Sequence, residues 1–460
     1  MVSRGYFVWP RLAAAAACVT LTVALSLAQW ADAAARPPHE PIPGAGYPVL
    51  SGDAAWTWFG GPRAVSHEGE HRRTYTGWIT SKGEVKIAAI DRDDGSVNVQ
   101  TLWCDQDPDD HSNPSILVLP DGRLMVFCAP HCWRWGTGVR ERKEGGIYYR
   151  TSVRPEDITE WGPVEMIVDN VPGPYGWTYP KPVQLSAEGE RIYLFWRGGN
   201  GRPVLAVSDD GVEWVVGGAV IATAGRRPYV VVASNDVDEI HIAFSRGHPG
   251  EEKENGVYYL KYKGGAFHRA DGAKIKDIWD LPVTPEECDV VYDGTSSGVG
   301  WLWDIAFDDD GEPVVVYTVF PDEDDHRYCY GRWRDGQWTT TELVAAGPAF
   351  PRRARGVSGE QFYSGGIALD HGEPDVVYLS RLKDGVYEIE RWETPDRGAS
   401  WSSSAITSGS DSDNVRPVVP LHRSEGDPLL LWMSGVYYRY DIFGTGIRQM
   451  PDRIAGAELR

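Results

Sequence analysis

The chain has 460 residues, of which 66 are acidic and 45 are basic, so its formal net charge is -21 at pH 7. Hydrophobic residues make up 42% of the sequence and aromatic residues 12%, which is enough to bury a large core and excludes an intrinsically disordered chain. The negative charge, without any Lys/Arg block, excludes a nucleic-acid-binding protein, which needs a basic surface to neutralise phosphates.

The N-terminal segment has the pattern of an export signal. Two arginines, Arg4 and Arg11, precede an apolar run that ends near Ala28, and a small-x-small cleavage site follows at residues 31–33. We therefore expect residues 1–33 to be a signal peptide, and residues 34–460 to be a single secreted domain. An uncleaved membrane anchor is the alternative, because the run approaches the minimum length of a membrane span.

Two motifs that follow resemble metal sites but have the composition of turns. His67-Glu68-Gly69-Glu70-His71 matches the H-E-x-x-H pattern that places two imidazoles around zinc when it lies on a helix. The central glycine and the Gly60-Gly61-Pro62 run before it disfavour a helix, so we predict a loop. The segment from Asp91 to Gly95 lacks the third carboxylate and the closing Glu of a calcium loop and is predicted to be a hairpin turn.

Five cysteines follow the signal, an odd number for an oxidising compartment. We expect one or two disulfides, with Cys104 pairing to Cys128 or Cys132, and at least one free thiol. A metal cluster of Cys128, His131 and Cys132 would lack the second half of the usual zinc pattern, so no metal is predicted there. The remaining two cysteines are Cys288 and Cys329.

Internal repetition is the most informative feature of the sequence. Seven times, a polar or aromatic cluster leads into a short strand, a Gly/Asp turn, and a second strand rich in Val, Ile, Tyr and Phe. No sustained helical periodicity appears after the signal. The pattern predicts an all-β, seven-bladed β-propeller, in which the innermost strand of each blade directs its first residues to a central funnel. The seven openings are Tyr75-Thr76-Gly77-Trp78, His111-Ser112-Asn113-Pro114, Tyr179-Pro180-Lys181-Pro182, Arg227-Pro228-Tyr229-Val230, Trp301-Leu302-Trp303-Asp304, Tyr363-Ser364-Gly365-Gly366 and Val415-Arg416-Pro417-Val418.

Two further segments have the pattern of Asp-boxes. Residues 394–401 fit S/T-x-D-x-G-x-x-W, and residues 208–214 are a relative that is one residue shorter. We expect each Asp side chain to tie a hairpin turn through backbone N–H groups and each Trp to pack between sheets. These boxes predict a propeller and carry no information about a substrate.

Chemically reactive residue types gather at the second and third openings, in residues 109–115 and 176–180, and at the ends of the strands that follow them, residues 127–131 and 194–198. In these segments the sequence resembles the BNR-4 repeat family of secreted polysaccharide lyases, typified by ulvan lyases. The resemblance extends from about Tyr75 to about Tyr440. Other segments that carry it are Tyr148-Tyr149-Arg150, Arg227-Pro228-Tyr229, Gly247-His248-Pro249, Asp325-His326-Arg327-Tyr328 and Asn414-Val415-Arg416-Pro417.

The resemblance implies roles for four residues in the cleavage of a uronic-acid polysaccharide, glucuronate or iduronate linked to rhamnose. His111 and Tyr179 would flank the scissile bond, Arg197 would meet the uronate carboxylate, and His131 would line the same pocket. Substrate-binding residues are expected near the funnel from the repeat argument alone: Tyr229, His248, His326, Tyr363 and Arg416.

Cofactor and partner expectations follow from the same resemblance. Some relatives are expected to hold a structural metal after Gly247-His248-Pro249, but the strand over residues 256–262 has no further imidazole or thiol, so we predict no metal and no required cofactor. The expected partner is an acidic polysaccharide, with no nucleic acid and, after signal cleavage, no membrane. We expect a monomer.

The chemistry of elimination calls for the same residue types. A lyase removes the C5 proton of a uronate and expels the sugar on O4, and a guanidinium such as Arg197 stabilises the charge that develops on the carboxylate. His111 or Tyr179 would act as general base and Tyr179 would protonate the leaving oxygen; the sequence leaves the base open.

Two other functions remain open at this stage. A sialidase-like hydrolase would need an arginine triad, for which Arg197, Arg227 and Arg416 are available. A non-catalytic glycan-binding propeller is the second. Taken singly, a turn histidine, a packed tyrosine or an ion-paired arginine would also explain each site residue.

Overall fold

The structure is a computed structural model, and it describes residues 47–450 except 105, 132–144, 170–175, 224–226, 296, 323, 351–359, 425–426 and 428–429. The predicted signal peptide, residues 1–33, lies outside the described residues. All described residues fall within one compact unit. None of them form a helix with the length and apolar character needed to cross a membrane.

Strands account for the regular structure, apart from three short 3-10 turns at Asp110–Ser112, Ser186–Glu188 and Pro285–Glu287. The strands in chain order are β1 (Val49–Ser51), β2 (Ala64–Glu68), β3 (Arg72–Ile79), β4 (Val85–Asp91), β5 (Val97–Trp103), β6 (Ser115–Val118), β7 (Leu124–Cys128), β8 (Gly146–Thr151), β9 (Glu165–Val168), β10 (Thr178–Leu185), β11 (Arg191–Arg197), β12 (Pro203–Ser208), β13 (Val215–Ala219), β14 (Tyr229–Ser234), β15 (Glu239–Ser245), β16 (Val257–Lys263), β17 (Ala266–His268), β18 (Lys274–Asp277), β19 (Asp289–Tyr292), β20 (Val299–Phe307), β21 (Pro313–Asp322), β22 (Asp325–Arg334), β23 (Gln337–Gly347), β24 (Ile367–Leu369), β25 (Val376–Lys383), β26 (Val386–Glu393), β27 (Ser402–Ala405), β28 (Asp413–Val418), β29 (Leu430–Arg439) and β30 (Ile442–Met450).

These strands form seven antiparallel sheets, which confirms the predicted seven-bladed β-propeller. Six sheets contain four strands, and the fourth contains six. In chain order the blades are β2–β5, β6–β9, β10–β13, β14–β19, β20–β23, β24–β27, and β28–β30 completed by β1. The second strand of a blade is buried on both faces, as in β21, where eight consecutive residues are buried. Such strands read as continuous apolar runs because neighbouring blades cover both of their faces.

The first strands of the blades, β2, β6, β10, β14, β20, β24 and β28, surround the central channel. Six of the seven predicted openings lie at or beside the start of these strands. The first prediction is wrong: Tyr75-Thr76-Gly77-Trp78 lies on β3, the second strand of its blade. The innermost strand there begins at Ala64, and residues 69–71 form the turn between β2 and β3.

The prediction that the H-E-x-x-H motif is a loop holds for residues 69–71, whereas His67 and Glu68 are the last residues of β2. The Glu156 carboxylate, from the second blade, accepts hydrogen bonds from the backbone N–H groups of Glu70 and His71, both at 2.7 Å. The predicted hairpin turn from Asp91 to Gly95 is also confirmed, because it joins β4 to β5.

Both Asp-boxes have the predicted structural role. Asp396 accepts from the backbone N–H of Ser400 at 2.7 Å, and Asp210 accepts from the N–H groups of Val212 and Glu213, both at 2.8 Å. The Trp401 ring packs edge-on against Tyr330 of the preceding blade, with centroids 5.0 Å apart. The boxes therefore connect the outer strands of adjacent blades, away from the channel.

The predicted pairing of Cys104 with Cys128 is wrong, because both thiols are free. Cys104 is exposed whereas Cys128 is buried at the end of β7, so the two sulfurs lie in different environments. Cys288 and Cys329 are also buried and free. Cys132, the alternative partner, lies outside the described residues.

The segment between β1 and β2 runs through the middle of the ring and links blades that lie on different sides of it. The Trp56 indole N–H donates to the Arg416 carbonyl at 3.1 Å, and the Trp58 indole N–H donates to the Leu302 carbonyl at 3.2 Å. We call residues 54–62 the plug. Residues 54–59 are almost completely buried, and the plug divides the channel into two ends.

Candidate active site

A stacked pair of imidazoles lies at the channel end where the innermost strands begin. The His111 and His131 rings are 3.7 Å apart and nearly parallel, at 6°. Both Nδ1 atoms lie 2.7 Å from Asp109, His111 from Oδ1 and His131 from Oδ2. Asp109 also caps the 3-10 turn at Asp110–Ser112 by accepting from the His111 backbone N–H at 2.9 Å. One carboxylate thus orients both rings and leaves both Nε2 atoms for other contacts.

A second buried carboxylate supports the same turn. Asp110 Oδ1 lies 2.8 Å from His111 Nδ1, and Asp110 Oδ2 accepts from the Tyr437 hydroxyl at 2.5 Å and from the Arg416 guanidinium. The Arg416 side chain has no exposed surface. Because a buried charge is tolerated only when it is paired, the burial of the Arg416 charge depends on Asp110, and the burial of the Asp110 charge depends on Arg416.

These charges determine the protonation of His111. Burial lowers the pKa of His111, but the negative charges of Asp109 and Asp110 outweigh it and raise the pKa to about 9. The pKa of Asp109 is lowered despite burial, because His131 and His111 stabilise its charged form. His111 is therefore predominantly cationic at neutral pH and becomes a base at alkaline pH.

Tyr179 and Arg197 extend the row that begins at the histidine pair. The Tyr179 ring lies 5.3 Å from the His111 ring, and the Arg197 guanidinium carbon lies 4.8 Å above the Tyr179 ring. The four predicted residues, His111, His131, Tyr179 and Arg197, are 4 to 8% exposed. The sequence separates them widely, yet β10, β11 and the segments beside β6 and β7 bring them to one place.

Arg197 has no acidic partner among the described residues, although acidic side chains are abundant in this chain. Its Nε is buried without a hydrogen-bond partner. Burial raises the pKa of Tyr179 well above its ordinary value, against the opposing effect of the nearby Arg197 charge. A protonated phenol and an unpaired guanidinium therefore face the same small space.

Tyr229 and His248 form the adjoining wall. The Tyr229 ring lies 6.0 Å from Tyr179 and 6.1 Å from His248, and the Arg197 guanidinium lies 5.9 Å from it. His248 Nδ1 accepts from the Gly250 N–H at 3.0 Å. Burial, and then the charges of Arg227 and Arg197, lower the pKa of His248 to about 3, so it is a neutral hydrogen-bonding group.

The other three predicted substrate-binding residues lie behind this surface. His326 is buried, bonded through Nδ1 to the Ser364 hydroxyl at 2.9 Å, and packed against Phe320. Tyr363 packs edge-on against Trp58 at 5.0 Å. Arg416 is held by Asp110, as described above, and offers no surface to a substrate. Complete burial gives His326 and Arg416 supporting positions, whereas Tyr363, 5% exposed like Tyr229, stays a predicted substrate-binding residue.

Sequence reasoning missed Asp109 and Tyr440. Asp109 lies two residues before His111, and its position as cap of a turn was the available signal. The Tyr440 ring lies edge-on to both histidine rings, at 5.2 and 5.5 Å, and its carbonyl accepts from the Asp110 N–H at 2.8 Å. Tyr440 lies in the turn between β29 and β30, and no motif in the sequence connects it with His111.

Asp109, His111 and His131 are residue types that bind metals, and their donor atoms lie within 4.8 Å of one another. Each imidazole nitrogen is nevertheless only 2.7 Å from the carboxylate, which is a normal N–H···O hydrogen-bond length. The arrangement suits a hydrogen-bonded pair better than a chelate.

Comparison with known proteins adds the family and the fold. Residues 73–346, more than half of the chain, match the sequence model of the BNR repeat-containing family. No curated protein matches the sequence.

One similar solved structure is an ulvan lyase of a new polysaccharide lyase family, PL25, bound to -[GlcA(1-4)Rha3S]-. It is 17% identical to this chain, with a TM-score of 0.62, and the match covers 90% of this chain and 96% of the ulvan lyase chain. A second structure of the PL25 ulvan lyase gives a TM-score of 0.63 at 17% identity, over 89% and 96% of the two chains. The BP39L lectin from Burkholderia pseudomallei gives a TM-score of 0.50 at 11% identity, over 88% and 97%. At these identities the likeness establishes the fold.

Proposed function

This chain belongs to the BNR repeat-containing family, and we propose that it is a secreted polysaccharide lyase that cleaves an ulvan-like, uronic-acid-containing polysaccharide by β-elimination. The observation that carries the proposal is the row of His131, His111, Tyr179 and Arg197 at one mouth of the channel. The likeness of the fold to ulvan lyases supports it. Secretion rests on the signal pattern in residues 1–33.

Arg197 is the group that receives the substrate carboxylate. The C5 proton of a uronate is too weakly acidic to be removed unless the charge of the adjacent carboxylate is neutralised. An unpaired guanidinium in a site with little water can form two parallel hydrogen bonds to that carboxylate and stabilise the enolate that develops. The absence of an acidic partner among the described residues leaves Arg197 available for this contact.

His111 and Tyr179 divide the proton transfers. Tyr179 stays protonated because burial raises its pKa, so it suits the general acid that protonates the departing O4. His111, in its neutral form, suits the base that removes the C5 proton, and Asp109 holds its ring in place. The C5–H bond breaks, the double bond forms between C4 and C5, and the C4–O4 bond breaks with its electron pair on oxygen.

The sialidase-like alternative receives no support from the positions of the three arginines. Arg416 is enclosed beside Asp110, and Arg227 forms an ion pair with Glu251 at 2.5 Å. Only Arg197 of the three is unpaired, whereas a sialidase-like site needs three guanidinium groups around one carboxylate.

The first test is a screen of uronate polysaccharides for near-ultraviolet absorbance, because elimination creates an unsaturated uronate and hydrolysis or binding does not. We expect activity on an ulvan-like polymer. We expect Arg197→Ala and His111→Ala to lower kcat/KM at least 1,000-fold and Tyr179→Phe at least 100-fold, in line with the contributions of charge stabilisation and acid-base groups.

Three matched variants control for folding and general damage. Arg123→Ala, His71→Ala and Tyr47→Phe change the same residue types away from the site and should retain activity. Near wild-type activity in any two of the three site variants, or cleavage without an absorbing product, would refute the lyase assignment.

A further inference from the structure

The innermost strand of the third blade contains a bulge at the position of Tyr179. The register of β10 with β11 shifts between Thr178 and Lys181, so that Tyr179 and Pro180 stand opposite a single residue of β11. Tyr179 has a left-handed φ of 62° at this point. A bulge disrupts the ladder of hydrogen bonds locally, and Pro180 has no N–H to contribute to it. Other groups must therefore help to fix the backbone of Tyr179.

Donors from three segments bind the two carbonyl groups of this bulge. The Pro180 carbonyl accepts from the Ser115 hydroxyl at 2.6 Å and from the Gly61 N–H at 3.4 Å. The Tyr179 carbonyl accepts from the Lys181 side-chain nitrogen at 3.0 Å. The first two donors belong to β6 and to the plug and connect the bulge to its neighbours, whereas Lys181 holds Tyr179 itself.

The Lys181 side chain is almost completely enclosed and lies beside the Tyr179 ring. Lys181 is 5% exposed, and its Nζ lies 5.4 Å from the centre of that ring. Burial, and then the charge of Arg197, lower the pKa of Lys181 well below its ordinary value. Both effects favour the neutral amine, which still donates a hydrogen bond and needs no counter-charge in the core. The environment of Lys181 thus suits a hydrogen-bond donor to Tyr179 better than an ion-pair partner.

A bulge of the same kind in the last blade has a similar contact. Arg416 also precedes a proline and has a left-handed φ of 51°, and the register of β28 with β29 shifts between Val415 and Val418. The Arg416 carbonyl accepts from the Trp56 indole N–H at 3.1 Å. In both blades a buried side-chain donor therefore binds the carbonyl of the left-handed residue, although the donors come from different segments. The recurrence indicates that this contact fixes the left-handed residue, and in the third blade Lys181 makes it.

We propose that Lys181 is a positioning residue for Tyr179 and that it sets the direction in which the Tyr179 hydroxyl meets the departing sugar oxygen. This inference rests on the proposed lyase function, in which Tyr179 is the general acid. A nitrogen that is bonded to the Tyr179 carbonyl and lies beside its ring restrains both the backbone and the side chain of that residue. A misplacement of about 1 Å can lower a rate by up to about 100-fold, because proton transfer needs hydrogen-bond geometry in the transition state.

The test compares two leaving groups in wild type, Lys181→Met and Lys274→Met. Lys274→Met is the matched control, because the Lys274 side chain is 53% exposed and lies on an outer strand of the fourth blade. One substrate is the ulvan-like polymer, whose sugar oxygen must be protonated as it departs. The other is a glucuronoside with a 4-nitrophenoxy group on C4, which departs as a stable anion and needs no acid. Near-ultraviolet absorbance follows the first reaction, and release of 4-nitrophenolate follows the second.

We expect Lys181→Met to lower kcat on the polymer at least tenfold and to change KM less than twofold, because the acid is misplaced while Arg197 still binds the carboxylate. On the nitrophenyl substrate, kcat/KM should change less than threefold. Lys274→Met should equal wild type on both substrates. Damage to the fold in general would instead lower the rates on both substrates together.

Two results would overturn the proposal: a loss of similar size on both substrates, or a kcat on the polymer within threefold of wild type. If Lys181→Met does not fold, Lys181→Gln takes its place, since its amide nitrogen lies one bond closer to the backbone, and the same two results decide. Failure of the lyase assignment would appear in wild type, as the absence of an unsaturated product. Failure of the Lys181 role would appear only in the ratio of variant to wild type.

Discussion

Three residues at the starts of innermost strands have a backbone conformation that is unusual for their type. Tyr179, Arg227 and Arg416 have φ values of 62°, 56° and 51°, and each precedes a proline. A left-handed conformation in a residue other than glycine costs on the order of 1–3 kcal/mol and concentrates at functional sites. Here the repeated X-Pro bulge turns a side chain toward the channel. It directs Tyr179 to the candidate active site and Arg416 to the Asp110 carboxylate.

At the same scale, the pKa of His111 leads to a pH prediction. The folded-state pKa is raised to about 9, so His111 is protonated below that pH and neutral above it. If neutral His111 removes the C5 proton, kcat/KM must rise with pH and level off above about pH 9. Asp109→Asn removes a negative charge, which should lower the pKa of His111 and move the midpoint of the profile to lower pH.

The measurement is the initial rate at which near-ultraviolet absorbance increases, from pH 6 to 10, for wild type and Asp109→Asn. Asp121→Asn, at an exposed turn, is the control. A midpoint that stays in place or rises in Asp109→Asn would show that Asp109 does not set the basicity of His111.

Among the elements, the plug performs the least expected role. A propeller needs only its blades, but residues 54–62 occupy the channel and give each side a separate lining. Trp58 contacts aromatic rings of the fifth blade and of the segment before the sixth, Trp303 at 4.2 Å and Tyr363 at 5.0 Å. It also lies 5.2 Å from the Arg416 guanidinium, so it forms part of the support behind Asp110.

Removal of the Trp58 indole should destabilise the fold. We expect Trp58→Ala to lower the free energy of unfolding by about 3–5 kcal/mol, the range for large aromatic truncations in a core. Guanidinium unfolding measures it, and Trp279→Ala is the matched control, because Trp279 is 62% exposed and its loss should change stability by less than about 0.5 kcal/mol. A decrease in the free energy of unfolding of less than 1 kcal/mol in Trp58→Ala would mean that the plug does not stabilise the ring of blades.

For the whole molecule, ring closure depends on a strand from the beginning of the chain. β1 pairs antiparallel with β30, so residues 49–51 complete the blade whose other strands come from the C-terminal part. Tyr47 adds a hydrogen bond to the Ile406 carbonyl at 3.0 Å and an edge-on contact with Trp432 at 5.1 Å. This pairing joins the first and last parts of the described chain and covers the edge of β30.

We therefore expect a chain that starts at Gly52 to unfold at a temperature lower by roughly 5–10 °C and to aggregate more readily, because an uncovered edge strand pairs with other chains. A chain that starts at Ala34, without the predicted signal, should keep its unfolding temperature. Equal thermal stability of the two shortened chains would show that β1 is dispensable.

Net charge also acts at the level of the whole molecule. A charge of -21 repels a polyanionic substrate at long range, and salt screens that repulsion, with a Debye length of about 30 Å at 0.01 M and about 8 Å at 0.15 M. We expect kcat/KM on an acidic polysaccharide to rise over that interval of ionic strength. A steady fall instead would mean that Arg197 and other local cations dominate the approach of the substrate.

The sequence alone determined the class of fold, and it proposed four site residues that the structure brings together. Strand-turn-strand repetition is a local property, so each blade can be predicted from residues that are adjacent in the chain. The two Asp-boxes and six of the seven openings were predicted in this way. The position of Tyr179 could be anticipated because repeats place equivalent residues at equivalent points of a ring, whereas Arg197, at the end of β11, was assigned from the family resemblance. The first opening failed because two strands of similar composition, β2 and β3, follow each other, and composition does not tell which one faces the channel.

The tertiary structure decided everything that depends on contacts between distant segments. Asp109 as the shared partner of two histidines, Tyr440 beside them, and the plug between two channel ends each join residues that no local pattern connects. The same is true of charge: a sequence shows that Arg63, Arg197 and Arg416 are cations, but only packing decides which of them is paired. Pairing is a matter of a few ångströms in space, and separation along the chain carries no information about it.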